Sequence, residues 1–94
     1  MIESFKDEES RKVFGGVHSR RLPFEIQRPG RVKLVVLNES ATLAELAEVN
    51  GHNFEKLKGD REGQYSIRIN RQWRICFNWT EENNSANVEI VDYH

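Results

Sequence analysis

Two stretches in the second half of the chain alternate strictly between apolar and polar side chains. Tyr65, Ile67 and Ile69 mark the first, and Trp73, Ile75, Phe77 and Trp79 mark the second. A period of two is the signature of a strand with one buried face. The short gap between the two stretches leaves room only for a tight antiparallel turn. All seven apolar positions are odd-numbered. Residues that face one another across the pair must therefore add to an even number, or one apolar row would turn into water. A turn centred on Arg71 meets this condition and sets Arg68 opposite Arg74. The shared parity also assigns Tyr65, Trp73, Phe77 and Trp79 to the core, not to a platform for stacking bases.

The remaining elements are read around this hairpin. Met1 to Phe5 alternates weakly and predicts a short first strand, and Asp7 to Phe14 predicts a short helix closed by Gly15 and Gly16. A second helix is expected from Phe24 to Leu37, with a break or kink at Pro29-Gly30, because an interior proline costs about 3 kcal/mol. Its stronger part is Arg31 to Asn38, with Val32, Val35 and Val36 on one face and Leu34 and Leu37 on another. Thr42 and Glu45 have capping-box spacing and predict a helical turn over Leu43 to Glu48. Asn53 to Gly63 reads as a loop. A last strand is expected over Asn87 to Asp92, with Val88 and Ile90 inward and Glu89 outward. The order β, α, α, β, β, β over residues 1–94 predicts one α+β domain, with two N-terminal helices packed on one face of a small antiparallel sheet.

Composition limits what such a domain can be. With 94 residues, 37% hydrophobic and 31% charged, the chain has material for one thin core. No stretch approaches the roughly 20 apolar residues that span a bilayer, and the first residues lack the pattern of an export signal, so a cytoplasmic protein with no membrane contact is expected. Cys76 is the only cysteine and lies within a strand, which predicts a packed side chain and not a nucleophile. His18 and His52 have no partner at metal-ligand spacing, so neither a metal site nor a cofactor is expected.

A net charge of −1 argues against indiscriminate coating of nucleic acid. The charge is nonetheless segregated. From Arg11 to Lys33 there are seven basic residues against Glu25, and from Lys56 to Arg74 six against Asp60 and Glu62. Arg68 and Arg74 across an antiparallel pair repel each other, and an anion would relieve the repulsion. The loop entering the first hairpin strand adds Lys58 and Arg61, with Lys56 just before. Lys58, Arg68 and Arg74 together have the composition of a phosphate site. The other reading is a pair of solvated arginines neutralised by Glu89 or Glu62. The chain ends Asp92-Tyr93-His94, which is either an inert tail or an imidazole and a stacking ring beside the basic face.

The run Leu57-Lys58-Gly59-Asp60-Arg61-Glu62-Gly63-Gln64-Tyr65-Ser66-Ile67-Arg68-Ile69-Asn70, then Gln72-Trp73-Arg74-Ile75-Cys76-Phe77 and the end Val88-Glu89-Ile90-Val91-Asp92-Tyr93-His94, resembles the HigB toxins of the RelE/ParE superfamily, also called plasmid maintenance killer proteins. The opening Met1 to Lys6 fits as well, so the resemblance covers essentially the whole chain. It implies a RelE-like fold and a metal-independent endoribonuclease that cuts mRNA in the ribosomal A site. It also implies neutralisation by a HigA-type helix-turn-helix antitoxin, whose complex would reach operator DNA. By resemblance Lys58 is the catalytic lysine, Arg74 the phosphate-binding arginine, and Tyr93 and His94 the functional C-terminal pair. Arg61, Arg68 and Lys56 are further candidates for RNA contact, Arg68 on the hairpin register alone. Some relatives carry a histidine three positions before the lysine, where this chain has Glu55. Two other functions remain open: gyrase inhibition of the ParE kind, and an antitoxin-binding corepressor without catalysis.

Overall fold

The computed structural model describes residues 1–49 and 51–92. Three helices, α1 (Glu8–Phe14), α2 (Phe24–Glu39) and α3 (Leu43–Glu48), precede four strands, β1 (Glu55–Lys56), β2 (Gln64–Arg68), β3 (Trp73–Trp79) and β4 (Ser85–Asp92). The strands form one antiparallel sheet in the order β1-β2-β3-β4. A single 3-10 turn, Gly59–Arg61, separates β1 from β2. The α+β architecture is the expected one. The region read as a loop from Asn53 contributes the short edge strand β1. The predicted first strand is reduced to two parallel bridges, Ile2 to Ser85 and Phe5 to Val88, along the free edge of β4. No helix among the described residues is long and apolar enough to cross a membrane.

The hairpin register is the one that apolar parity demands. Ile67 lies opposite Ile75, Tyr65 opposite Phe77 and Arg68 opposite Arg74. Asn70 closes the turn by accepting from the amides of Gln72 (2.9 Å) and Trp73 (2.8 Å) through its side-chain oxygen, a local bond that favours turns over extended backbone. Ile67, Ile75, Phe77 and Val88 are fully buried under the helices, with Ile90 beside them. In a close-packed interior of this kind, truncating a residue such as Phe77 to Ala costs about 3–5 kcal/mol.

Helix α2 runs unbroken for 16 residues despite Pro29. Pro29 and Glu25, whose carbonyl loses its amide partner, both lie on the exposed side. The lost bond therefore faces water and needs no kink. Gly30 is buried instead: a Cβ there would meet the Ile69 Cδ1 at 3.4 Å, so glycine lets the helix settle close on the sheet. The buried stripe is Ile26, Gly30, Leu34 and Leu37, with helical spacing. Val32, expected in an apolar face, is 59% exposed. Pro23 offers no side-chain cap. Gln27 compensates by reaching back to the loop, accepting from the Ser19 amide and donating to the Ser19 and Leu22 carbonyls.

The other helices follow their capping signals. Asp7 accepts from the Ser10 amide at the start of α1. Ser10, itself buried, accepts from the Ile90 amide through its hydroxyl and so fastens α1 to β4. At α3 Thr42 accepts from the Glu45 amide, while the Glu45 carboxylate reaches one residue beyond the cap to the Ala41 amide at 2.7 Å.

His52 joins α3 to the sheet. Its ring has no solvent exposure, its Nδ1 lies 3.1 Å from the Leu46 carbonyl, and its Nε2 has no partner among the described residues. Its own carbonyl accepts from the Arg68 amide at 2.6 Å. Burial lowers the imidazole pKa below 6.5, against the Leu46 hydrogen bond, which raises it, and with Lys33 lowering it further. Because the folded value is depressed, the stabilisation is complete above the unfolded value of about 6.5 and is lost as pH falls through the folded value. The urea midpoint of the wild type should thus decline from about pH 6.5 downward more steeply than that of His52→Gln. Parallel pH profiles for the two proteins would show that His52 is not held neutral.

Candidate active site

The face of the sheet away from the helices carries the even-numbered side chains of β2 and β3, and it is here that the charged residues gather. Arg74 is only 7% exposed. Its Nε donates to the Ser66 hydroxyl at 2.8 Å, and its Nη2 donates to the Asn53 carbonyl and, at 3.5 Å, to the Ser66 carbonyl. The Glu55 carboxylate lies 3.5 Å from the same Nη2, with its side chain half exposed. This placement follows from the pairing, since Glu55 is the register partner of Ser66, which in turn faces Cys76. Asn53 presents its carbonyl from a left-handed backbone (φ 44°), a conformation that asparagine tolerates better than most residues. A guanidinium removed from water needs its donors satisfied and its charge balanced. Ser66 and Asn53 satisfy donors on Nε and Nη2, and Glu55 balances charge.

The expected repulsion between Arg68 and Arg74 is real in register but not in environment. Arg74 is buried and paired with Glu55, whereas Arg68 is half exposed and donates from Nε to the Asn70 carbonyl of its own turn at 3.0 Å. The neutralising carboxylate is neither Glu89 nor Glu62.

Glu89 serves a second arginine. On β4 it lies opposite Cys76 and is 9% exposed, so it faces away from the helices as expected yet is buried. Arg61, delivered by the 3-10 turn, donates from Nη1 to Glu89 at 2.8 Å and to the Gln64 side chain at 3.0 Å, while the Lys6 ammonium stands 3.4 Å from Glu89. The loop is thereby folded down over this face. Cys76 beneath it is fully buried, and burial raises its thiol pKa, with Arg61 the leading opposing influence. It is a packed residue and no nucleophile.

Lys58 caps the 3-10 turn with extended backbone, is exposed, and forms no ion pair among the described residues. Lys56 pairs with Tyr65, whose ring packs on the helix side, so strand alternation directs it away from Glu55 and Arg74. Asp92 ends β4 opposite Trp73 and accepts from the Gln72 amide group at 3.0 Å. Tyr93 and His94 lie outside the described residues. The fold thus unites Arg74, Ser66 and Glu55, and holds Arg61 with Glu89 and Lys6. Arg68 stays at the hairpin end and Lys56 on the other side. Ser66 and the Asn53 carbonyl escaped the sequence reading, although Ser66 shares the parity of Arg74. Chemically, the arrangement is a fixed cation whose half-exposed counter-ion Glu55 can exchange with another anion.

A family model described as the RelE-like toxin of type II toxin-antitoxin system HigB matches residues 3–94. Toxin HigB-1 of Vibrio cholerae serotype O1 is 30% identical over 80 residues, covering 85% of this chain and 77% of that protein. Endoribonuclease HigB of Proteus vulgaris is 39% identical over 56 residues, covering 56% of this chain and 59% of that protein. Among solved structures, a YoeB-YefM complex from Staphylococcus aureus and a heterotetrameric YoeB-YefM toxin-antitoxin complex from the same organism align with TM-scores of 0.57 and 0.61. Each is 17% identical and covers 100% of this chain and 98% of its own, which establishes a common fold. The chain belongs to the HigB-like family of RelE-like toxins of type II toxin-antitoxin systems.

Proposed function

We propose that this toxin is an endoribonuclease that cuts mRNA in the ribosomal A site and is restrained in the cytoplasm by a HigA-type helix-turn-helix antitoxin. The observation that carries the reading is the Arg74 guanidinium, immobilised by Ser66 and Asn53 and balanced by a half-exposed Glu55. A scissile phosphate entering this face replaces part of the Glu55 interaction, and the guanidinium is already oriented to meet the charge that builds on the phosphorane. Lys58, without an ion-pair partner in the described chain, adds a second cation from the adjoining loop.

The reaction needs a base for the 2'-hydroxyl and an acid for the leaving 5'-oxygen. In this reading Glu55 accepts the proton from the 2'-hydroxyl, O2' bonds to phosphorus, and the P–O5' bond breaks as His94 donates a proton to O5'. The products are a 2',3'-cyclic phosphate and a 5'-hydroxyl, and general acid–base groups fill every role without a metal. Tyr93 stacks on or orients the target nucleotide, while Arg61 and Arg68 flank the RNA path. The weak net charge of −1 suits a nuclease whose substrate is positioned by the ribosome.

Mapping mRNA ends on translating ribosomes tests the reading. The intact chain should leave A-site cuts with 5'-hydroxyl ends, and a form lacking Tyr93 and His94 should leave none. Growth arrest with supercoiling defects and no cuts would point to gyrase instead, and a non-toxic intact chain to the corepressor role. Glu55 is tested separately by single-turnover cleavage. Glu55→Gln should slow the reaction by about 10²–10⁴-fold. Glu55→His should restore part of the rate while moving the acidic limb of the pH profile upward, because imidazole holds its proton to higher pH than a carboxylate. An unmoved profile would remove Glu55 from the proton transfer.

A further inference from the structure

The loop that carries Lys58 is tied down more firmly than a connection between two strands requires. At its start the Leu57 amide donates to the Gln64 carbonyl at 2.8 Å, and the Leu57 side chain is buried. At its end the Asn78 side-chain amide donates to the Gly63 carbonyl at 3.2 Å. Between these points the Arg61 amide donates to the Lys58 carbonyl at 3.3 Å, which closes the 3-10 turn on Lys58 itself.

The remaining tie is electrostatic and reaches across the sheet. The loop leads into β2, whereas Glu89 sits on β4, so its 2.8 Å bond from Arg61 Nη1 spans β3. A carboxylate buried as Glu89 is needs a cation, and Arg61 is the nearer of its two, with Lys6 at 3.4 Å from the same oxygen. Glu89 belongs to a paired strand and Arg61 to a three-residue turn, so the bond fixes the turn to the sheet and not the reverse. Two bonds in series, from Glu89 to the Arg61 side chain and from the Arg61 amide to the Lys58 carbonyl, connect β4 with the lysine. Cys76 supplies an independent sign that the loop is closed. It is the register partner of Glu89 and has no solvent exposure although it faces away from the helices. Arg61 is also the foremost group lowering its thiol pKa.

We propose that Glu89 is a positioning residue for RNA cleavage: through Arg61 it latches the loop against the sheet and sets where the Lys58 ammonium stands. The proposal rests on the reading of Lys58 as a cation at the scissile phosphate. It deepens that reading by giving Arg61 a task besides flanking the RNA, and by giving a buried acid on β4 a part in a reaction whose substrate it does not touch. Lysine is a point charge on a flexible stem. Its ammonium is well placed only if the backbone beneath it is held, and a misplacement of about 1 Å at a reacting centre can cost ~100-fold in rate.

Glu89→Gln, Arg61→Met and Arg61→Lys test the latch in the full chain. Iodoacetamide labelling of Cys76, the only cysteine, reports opening of the loop. Single-turnover mRNA cleavage on ribosomes separates the rate constant from the half-saturating toxin concentration. Glu89→Gln and Arg61→Met should each label at least ~10-fold faster, as expected when a hydrogen bond between charged groups is lost. For Arg61→Met the direction is diagnostic, because removing a cation that lowers the thiol pKa would by itself slow labelling. Both variants should cut the cleavage rate constant by about 10- to 100-fold, with the half-saturating concentration within about threefold of wild type. Arg61→Lys, which keeps a cation for Glu89, should recover part of both effects. Unchanged labelling or an unchanged rate constant would overturn the proposal. So would labelling that accelerates only as far as a lowered unfolding free energy in urea accounts for. A raised half-saturating concentration at an unchanged rate constant would make Arg61 an RNA contact instead. If the wild type itself leaves mRNA intact, the endoribonuclease reading fails, while labelling still decides whether Glu89 holds the loop.

Discussion

The rest of the site depends on one buried charge. Arg74 is held at 7% exposure by the Ser66 hydroxyl, the Asn53 carbonyl and the Glu55 carboxylate. Removing an arginine from water is costly unless nearly every donor is met, so these partners are obligatory. They come from three separate places: β2, the approach to β1, and β1 itself. The short edge strand, the left-handed turn at Asn53 and the bond from the Arg68 amide to the His52 carbonyl all serve to bring those partners within reach. The guanidinium is thereby fixed in place, and in the proposed reaction such a prearranged cation stabilises charge with little reorganisation.

That arrangement is possible because the sheet is covered differently on its two faces. The odd-numbered row of Ile67, Ile75 and Phe77 lies under α1 and α2 and provides the stability of a thin core. The opposite row is roofed by the loop that Arg61 and Glu89 pin down, so Cys76 and Ser66 are buried there without a second hydrophobic layer. Polar side chains near the edges of that row can then be half buried, which strengthens their electrostatics relative to bulk water. The helix layer leaves an outer groove lined by Val17, Phe24, Arg28 and Arg31 uncovered. One small domain thus offers a face built around Arg74 and a separate apolar-and-basic face.

Strand parity made the hairpin, its register and the facing of Arg68 and Arg74 legible in the sequence, because a period of two admits one solution when one face is apolar. The Gly15-Gly16 stop located α1 and capping-box spacing located α3, for a similarly local reason. The unbroken α2 was not legible, since the burden of Pro29 depends on whether Glu25 points to water, and the stripe that decides it includes Gly30, which has no hydrophobicity to read. Strand β1 was hidden because its two residues are charged and owe their conformation to pairing with Ser66 and Tyr65. The same non-local pairing hid the partnership of Glu55 with Arg74. Glu55 was noticed only as a departure from relatives with histidine there, while its closeness to Arg74 is a property of the sheet. Family resemblance singled out Lys58, Arg74, Tyr93 and His94, and residue physics alone reached the arginine pair but not the RNA.

In the proposed reaction Ser66 acts on cleavage through Arg74, whose Nε it holds. A double-mutant cycle on single-turnover mRNA cleavage by ribosome-bound toxin, with Ser66→Ala, Arg74→Lys and the double variant, tests it most directly. The account predicts that Ser66→Ala slows the wild type but adds little once Arg74 is lysine, giving an interaction energy of about 0.5–3 kcal/mol. Strictly additive effects, or a Ser66→Ala enzyme as fast as wild type, would contradict it.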